Sequence, residues 1–314
     1  MIILIANPAS RSGRGKRLWP GWLAALEKSR TSFRLLQSAS REDCEATARA
    51  AASHDAVIAV GGDGTINAVI SGLLGASDPR NGPTAARLGV LYAGTSPDFC
   101  RFHGISTEPD DAMEVLLAGG TRDIDIISFS YRSRSGEGRQ GFFASSCNIG
   151  LGAATAAFAN SYRRYLGDIP GTGLGLIRAM LSRRSFNCRL ALDGGPALEF
   201  PHANHVMLIK NPFIASGLRL NLPLLPDDGL MYAVVIHGHS PLRLLSLMRS
   251  LYAGDWADAP GVFARSCRGA TVMTDPPQEV ECDGDPRGEG PVHAALLPRV
   301  LSLVCAQKQG ENHE

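Results

Sequence analysis

Two hydrophobic periods divide the chain. Residues 2–6, IILIA, form a short unbroken apolar run closed by Asn7-Pro8, which predicts a buried strand. RLWPGWLAALEKS (17–29) then reads as a helix, SFRLLQS (32–38) as a second strand, and Ala-rich, early-acidic REDCEATARAAAS (41–53) as a strong helix. The alternation continues through DAVIAVGG (55–62, strand), TINAVISGLLG (65–75, helix), RLGVLYAG (87–94, strand) and EPDDAMEVLLAGG (108–120, helix). Strand and helix in turn predict a parallel sheet with helices on both faces. Near residue 122 the pattern becomes two-residue alternation. RDIDIISFSYRS (122–133), RLALDG (189–194), HVMLIKN (205–211), LMYAVVIHG (230–238), ATVMTD (270–275), QEVECDG (278–284) and VLSLVCA (300–306) read as short strands between Gly, Pro and Asp turns. Two helical stretches interrupt them, at 152–167 and 173–184. The pattern predicts a doubly wound parallel-sheet α/β domain over 1–122 and a β-sandwich-type, β-rich domain over 123–295.

Composition narrows the class without changing this picture. Of 314 residues, 44% are apolar, enough for a substantial core. The net charge of +1, from 31 basic and 30 acidic residues, gives no reason to expect a nucleic-acid partner. The seven cysteines, at 44, 100, 147, 188, 267, 282 and 305, form no C-x-x-C pair and read as buried thiols in a reducing compartment. The opening MIILIANPAS lacks a basic region, and its apolar run of about five residues is too short for a secretory signal. No run of about 20 apolar residues exists to span a membrane. A cytoplasmic protein is expected.

The informative stretch is AVIAVGGDGTINAVISGLL, residues 56–74. A strand runs into Gly61-Gly62-Asp63-Gly64-Thr65 and a helix begins. Ligands of α/β sheets sit at the carboxyl ends of strands. Glycines there let backbone N–H groups approach closely, and the helix start favours phosphate. Asp63 is suited to magnesium. A plain turn capped by Thr65 would use the same residues. The chain has neither G-x-x-x-x-G-K-[ST] nor a G-x-G-x-x-G after its first strand. The other strand ends are polar as well: Asn7 with Arg14 and Lys16 after the first, Ser38 after the second, Thr95 and Asp98 in AGTSPDF after the fourth. Consecutive parallel strands thus bring a convergent polar set to one edge of one sheet.

NPASRSGRG, VGGDGTINAVISGL and GTSPDFCRFHGI resemble the diacylglycerol kinase catalytic-domain family, which includes bacterial lipid kinases, sphingosine kinases and ceramide kinases; NAD kinases are more distantly similar. CNIGLGAATAAF resembles the family's Asn-rich turn before a helix. The stretch from LIKNPFIASG to LPDDGL, together with VECDGDP, resembles its second-domain elements. The likeness extends over about residues 2–305. It implies an α/β nucleotide domain and a β-rich domain with the active site in the cleft, the strand near 296–306 returning to the first domain. It implies transfer of the ATP γ-phosphoryl to a lipid hydroxyl. Asn7, Ser38, Gly61, Gly62, Gly64, Thr65 and Thr95 would bind ATP. Asp63 would hold Mg2+ and serve catalysis, Asp98 would support the metal or orient the hydroxyl, and Asp285 would be the general base. Asp228 of the Asp227-Asp228-Gly229 element would hold a structural magnesium. Each has a plainer reading: turn former for Asn7 and Asp285, loop serine for Ser38, Asx turn for Asp63, helix cap for Asp98, hairpin turn for Asp228.

Three residues depart from the family pattern. Asp285 stands for Glu and is one methylene shorter, Pro97 stands for the Asn before Asp98, and Ala68 stands for a helical Glu. Diacylglycerol is the default acceptor, with ceramide or a sphingoid base next. The alternatives are an NAD kinase-like enzyme for a soluble acceptor and a pseudokinase that binds nucleotide or lipid without turnover. The segment 160–184 mixes Tyr, Leu, Ile and Met with Arg163, Arg164, Arg178, Arg183 and Arg184, a composition suited to peripheral contact with the inner face of an anionic membrane or to a solvated helix over the second core. The resemblance also allows a homodimer, which no feature of this chain forces.

Overall fold

The computed structural model describes residues 1–76, 78, 82–151, 174–175, 178, 185–214, 218–240, 243–244, 246–247, 250, 256–257 and 259–306. The expected helices at 152–167 and 173–184 and most of the basic, apolar segment 160–184 lie outside them.

One compact unit comprises Met1–Asp125 and the chain from Pro298 onward. Its strands are β1 (Ile2–Ala6), β2 (Phe33–Gln37), β3 (Ala56–Gly61) and β4 (Arg87–Tyr92). Its helices are α1 (Trp19–Lys28), α2 (Arg41–Ala50), α3 (Asp63–Leu74), α4 (Asp98–His103) and α5 (Pro109–Ala118), with a 3-10 helix over Ser10–Leu18. The strands run parallel in the order β4-β3-β1-β2, with Leu4 beside both Leu35 and Ile58. The chain's last strand adds to β4, Leu303 opposite Leu88, also parallel. Successive strand residues face opposite ways. Leu4, Ala6, Ile58 and Val60 pack with Trp19, Trp22 and Leu26 of α1 and Met113 and Leu116 of α5. Ile3, Ile5, Val57 and Ala59 are buried on the other face, toward α2 and α3. Every residue of β3 is buried, so the Gly-rich turn hangs from the rigid centre of the sheet.

The second unit is Ile126–Leu297. Strand β5 (Thr121–Arg132) enters it, followed by β6 (Gly138–Phe143), β7 (Ser146–Gly150), β8 (Phe186–Leu192), β9 (Leu198–Ile209), β10 (Phe213–Ile214), β11 (Leu218–Arg219), β12 (Met231–His237), β13 (Val262–Cys267), β14 (Gly269–Asp275), β15 (Glu279–Cys282) and β16 (Asp285–Val304), the strand that ends in the first unit. Strand pairing closes a circuit, β9 to β7 to β15 to β16 to β14 to β8 and back to β9. The two long strands make the corners. Residues 198–203 of β9 pair with β8, whereas His205–Ile209 pair with β7 and β12. The interior holds Cys147, Ile149, Phe186, Leu190, Val206, Leu208, Val272, Val280, Cys282 and Val292.

The structure departs from the sequence reading in two places that matter. The Asn-rich stretch expected as a turn begins as β7, because Cys147 and Ile149 alternate into the core. VLSLVCA is only the end of β16, whose earlier part carries Pro286, Pro291 and Pro298 and does not read as a strand.

Candidate active site

The turn after β3 is built by exclusion of side chains. A Cβ on Gly61 would lie 2.4 Å from the Thr65 hydroxyl, and one on Gly94 would lie 2.5 Å from the Cα of Gly62. The turns after β3 and β4 therefore touch backbone to backbone, which only glycine permits. Gly62 is extended and its carbonyl accepts the N–H groups of Thr65 (2.9 Å) and Ile66 (3.0 Å), starting α3. Asp63 and Gly64 occupy the first turn, both half-buried, at the positive end of the helix dipole.

Asn7 joins this turn. Its side-chain oxygen accepts the Ala9 N–H at 2.9 Å, and its amide donates to the Thr65 hydroxyl at 3.3 Å. Ser38 is buried and bonded to β1: its N–H and its hydroxyl both donate to the Ala6 carbonyl, at 2.9 and 3.3 Å. Thr95 is exposed beside Gly94. Asp98 is buried at the first position of α4 and accepts the Ser96 hydroxyl at 2.8 Å; Pro97 holds the cap position. Arg101 stands 3.7 Å away.

Tyr92 is buried within the electrostatic reach of both carboxylates. Burial first, then the charges of Asp63, Cys100 and Asp98, push its phenol well above its ordinary range, so it stays a neutral hydroxyl. Burial and Asp63 push the Cys100 thiol up likewise. Sequence reasoning passed over Tyr92, which resembles a core residue of β4. It also passed over Arg41 and Asn67, whose hydrogen bond fastens α2 to α3 behind the turn. Asn67 is buried, where an unbonded amide would be costly; a polar amide inside the apolar helix run TINAVISGLL is the signal that could have found it.

In the second unit, Asp285 opens β16 opposite Cys282 and is half-buried. The residues before it hold the turn from two sides. Asp283, with φ near +49°, accepts three backbone N–H groups from the β6–β7 turn: Ala144 at 2.9 Å, Ser145 at 3.0 Å and Ser146 at 2.9 Å. Glu281 is buried beneath. One of its oxygens accepts the Gly284 N–H and the other the Asn148 amide at 2.8 Å. Burial is the main reason its carboxyl is raised to about 7; those two hydrogen bonds oppose the rise, and Asp283 and Asp285 add to it. Glu281 was not singled out in the sequence, where it is one polar residue in an alternating strand.

Asp228, expected at a structural magnesium, has protein partners. One oxygen accepts the Lys210 ammonium at 2.7 Å and the Leu230 N–H at 3.0 Å; the other accepts the Leu225 N–H at 2.7 Å. Among the described residues no three His, Cys, Asp or Glu side chains form a metal cage. A single carboxylate would be compatible with the way magnesium accompanies nucleotides, through one or two carboxylates and the phosphates themselves.

Residues 1–129 match the diacylglycerol kinase catalytic domain, and residues 145–305 match the YegS C-terminal NAD kinase beta sandwich-like domain. A diacylglycerol kinase of Staphylococcus aureus strain MRSA252 is 25% identical over 311 residues, covering 96% of this chain and 91% of that protein. The crystal structure of a diacylglycerol kinase from Bacillus anthracis strain Sterne superposes with a TM-score of 0.70 at 18% identity, covering 97% of this chain and 96% of that one. Yeast NADH kinase complexed with NADH shares the fold more distantly, with a TM-score of 0.56 at 10% identity over 98% of this chain and 84% of its own. Both halves of the sequence thus match in order, on a fold common to these kinases, and the chain belongs to the diacylglycerol kinase catalytic-domain family.

Proposed function

We propose that the protein transfers the γ-phosphoryl group of ATP to the hydroxyl of a membrane lipid, with diacylglycerol as the default acceptor. The observation that carries this reading is the pair of glycine turns in backbone contact, which opens the start of α3, with Asp63 on its first turn, to a phosphate chain.

Phosphoryl transfer depends on positioning and on charge stabilisation more than on covalent chemistry. Gly61, Gly62, Gly64 and Thr65 line the phosphate chain, Asn7 fixes the Thr65 hydroxyl, Thr95 faces the nucleotide, and Ser38 shapes the edge of its pocket. Asp63 would hold Mg2+, which when bound would neutralise charge on the phosphate oxygens. Asp98 orients the acceptor. The acceptor oxygen forms the new bond to phosphorus as the bond to the β–γ bridging oxygen breaks. The hydroxyl proton passes to Asp285. Contact with a membrane surface brings the lipid within reach; among the described residues no helix is long and apolar enough to cross a membrane.

The test is a panel of acceptors. Purified protein is incubated with labelled ATP and Mg2+ and with micelles of diacylglycerol, monoacylglycerol, ceramide or sphingosine, with NAD run alongside. A labelled phospholipid supports the reading and names the acceptor. Label on NAD alone would replace it with the soluble-acceptor reading. ATP binding without transfer to any acceptor would replace it with a pseudokinase.

A further inference from the structure

The Asp227-Asp228-Gly229 turn carries a cation of its own. Lys210 lies just beyond the end of β9 and is 1% exposed, yet it is a charged side chain. A buried ammonium needs an anion and acceptors. It donates to Asp228 at 2.7 Å and to the Leu230 carbonyl at 2.9 Å, bridging the two ends of the turn.

These are the oxygens a divalent ion would take. Magnesium demands six oxygens at about 2.0–2.1 Å in near-octahedral array. Here one Asp228 oxygen serves the ammonium and the Leu230 N–H, the other serves the Leu225 N–H, and the Leu230 carbonyl serves the ammonium as well. A dication at the same oxygens would face a buried positive charge at contact distance. The residues present therefore do not fit the structural magnesium that the family resemblance implies for Asp228.

The pair is also coupled to the turn that bears Asp285. The N–H groups of Lys210 and Asn211 both donate to the Ser145 carbonyl, at 2.9 and 3.1 Å. The Ser145 N–H in turn donates to Asp283 at 3.0 Å. One residue, Ser145, thus joins the lysine strand to the clamp that precedes Asp285.

We propose that Lys210 is a built-in cation that replaces a divalent metal at Asp228, so that the architecture of the second unit, and with it the support of Asp285, is independent of metal. The inference does not rest on the kinase reading, and its test needs no turnover. The wild-type chain is dialysed against EDTA, and amide hydrogen exchange over residues 224–231 is followed by mass spectrometry with EDTA and with millimolar Mg2+. Protection in that segment is expected to be equal in both. Lys210→Met leaves Asp228 without its cation, so its melting temperature should fall by about 10 °C in EDTA. Millimolar Mg2+ or Ca2+ should restore part of the loss by entering the vacated position. A wild-type segment that loses protection on chelation would overturn the proposal. So would a Lys210→Met protein that melts like the wild type in EDTA. Because the wild-type measurement decides by itself, a variant that fails to fold does not remove the test.

Discussion

Glu281 gives the structure a distinctive response to pH. Buried in the second unit, its carboxyl titrates near 7 rather than 4.5, chiefly because burial disfavours the charge. Between those values the folded chain keeps a proton that the unfolded chain has released. Stability falls with rising pH wherever the folded state binds more protons. Glu281 therefore weakens the fold progressively from about pH 4.5 to about 7, and the full penalty persists above that. At about 1.4 kcal/mol per tenfold change in proton affinity, the penalty is of order 3 kcal/mol. Glu281→Gln removes the titration and keeps a carbonyl for the Gly284 N–H. The assay is urea unfolding of both proteins from pH 4.5 to 8. Their difference cancels the other titrating groups they share. The stability of the variant relative to wild type should rise by about 3 kcal/mol across this range and level off above pH 7. A difference that stays flat, or that falls with pH, would refute the reasoning that burial dominates this carboxyl.

Further outcomes follow from the same contacts. Gly94→Ala places a methyl group 2.5 Å from the Gly62 Cα, so calorimetry should show ATP affinity reduced at least tenfold, with about 1–3 kcal/mol lost from stability. Asp283→Ala strips the acceptor from three backbone N–H groups, and exchange of the Ala144, Ser145 and Ser146 amides should accelerate while the amides of α3 stay protected. Asp285→Asn should lower kcat for lipid phosphorylation by about 10²–10⁴ while the Kd for ATP is unchanged; a normal kcat would move the base elsewhere.

The first unit was legible because β1, β3 and β4 are short, mostly apolar runs closed by Gly, Pro or polar residues, and α2, α3, α4 and α5 each carry an acidic start, the last three with a glycine stop as well. DAVIAVGG became β3 with its end at Gly61, and RLGVLYAG became β4 with its end at Tyr92. The second unit was harder to read because its long strands change partners. In β16, Pro286, Pro291 and Pro298 suggest loop, yet the strand survives by passing from β15 to β14 and then to β4. Gly288 looks like another break, but a Cβ there would lie 2.0 Å from the Arg132 carbonyl, so it marks close backbone approach. At the candidate site, the glycines and Asp63 stood out because they are consecutive. Tyr92, Glu281 and Lys210 did not, because each matters through burial beside a distant partner, and single residues in apolar strands carry no mark of that.

The turn after β3 is proposed to bind ATP for transfer to a lipid. Its most direct test compares wild type and Asp63→Ala in one assay, with labelled ATP, Mg2+ and diacylglycerol micelles, and circular dichroism confirming that both are folded. Labelled phospholipid is expected from the wild type, with a loss of at least about a hundredfold in the variant. An Asp63→Ala protein that phosphorylates diacylglycerol at the wild-type rate would contradict it.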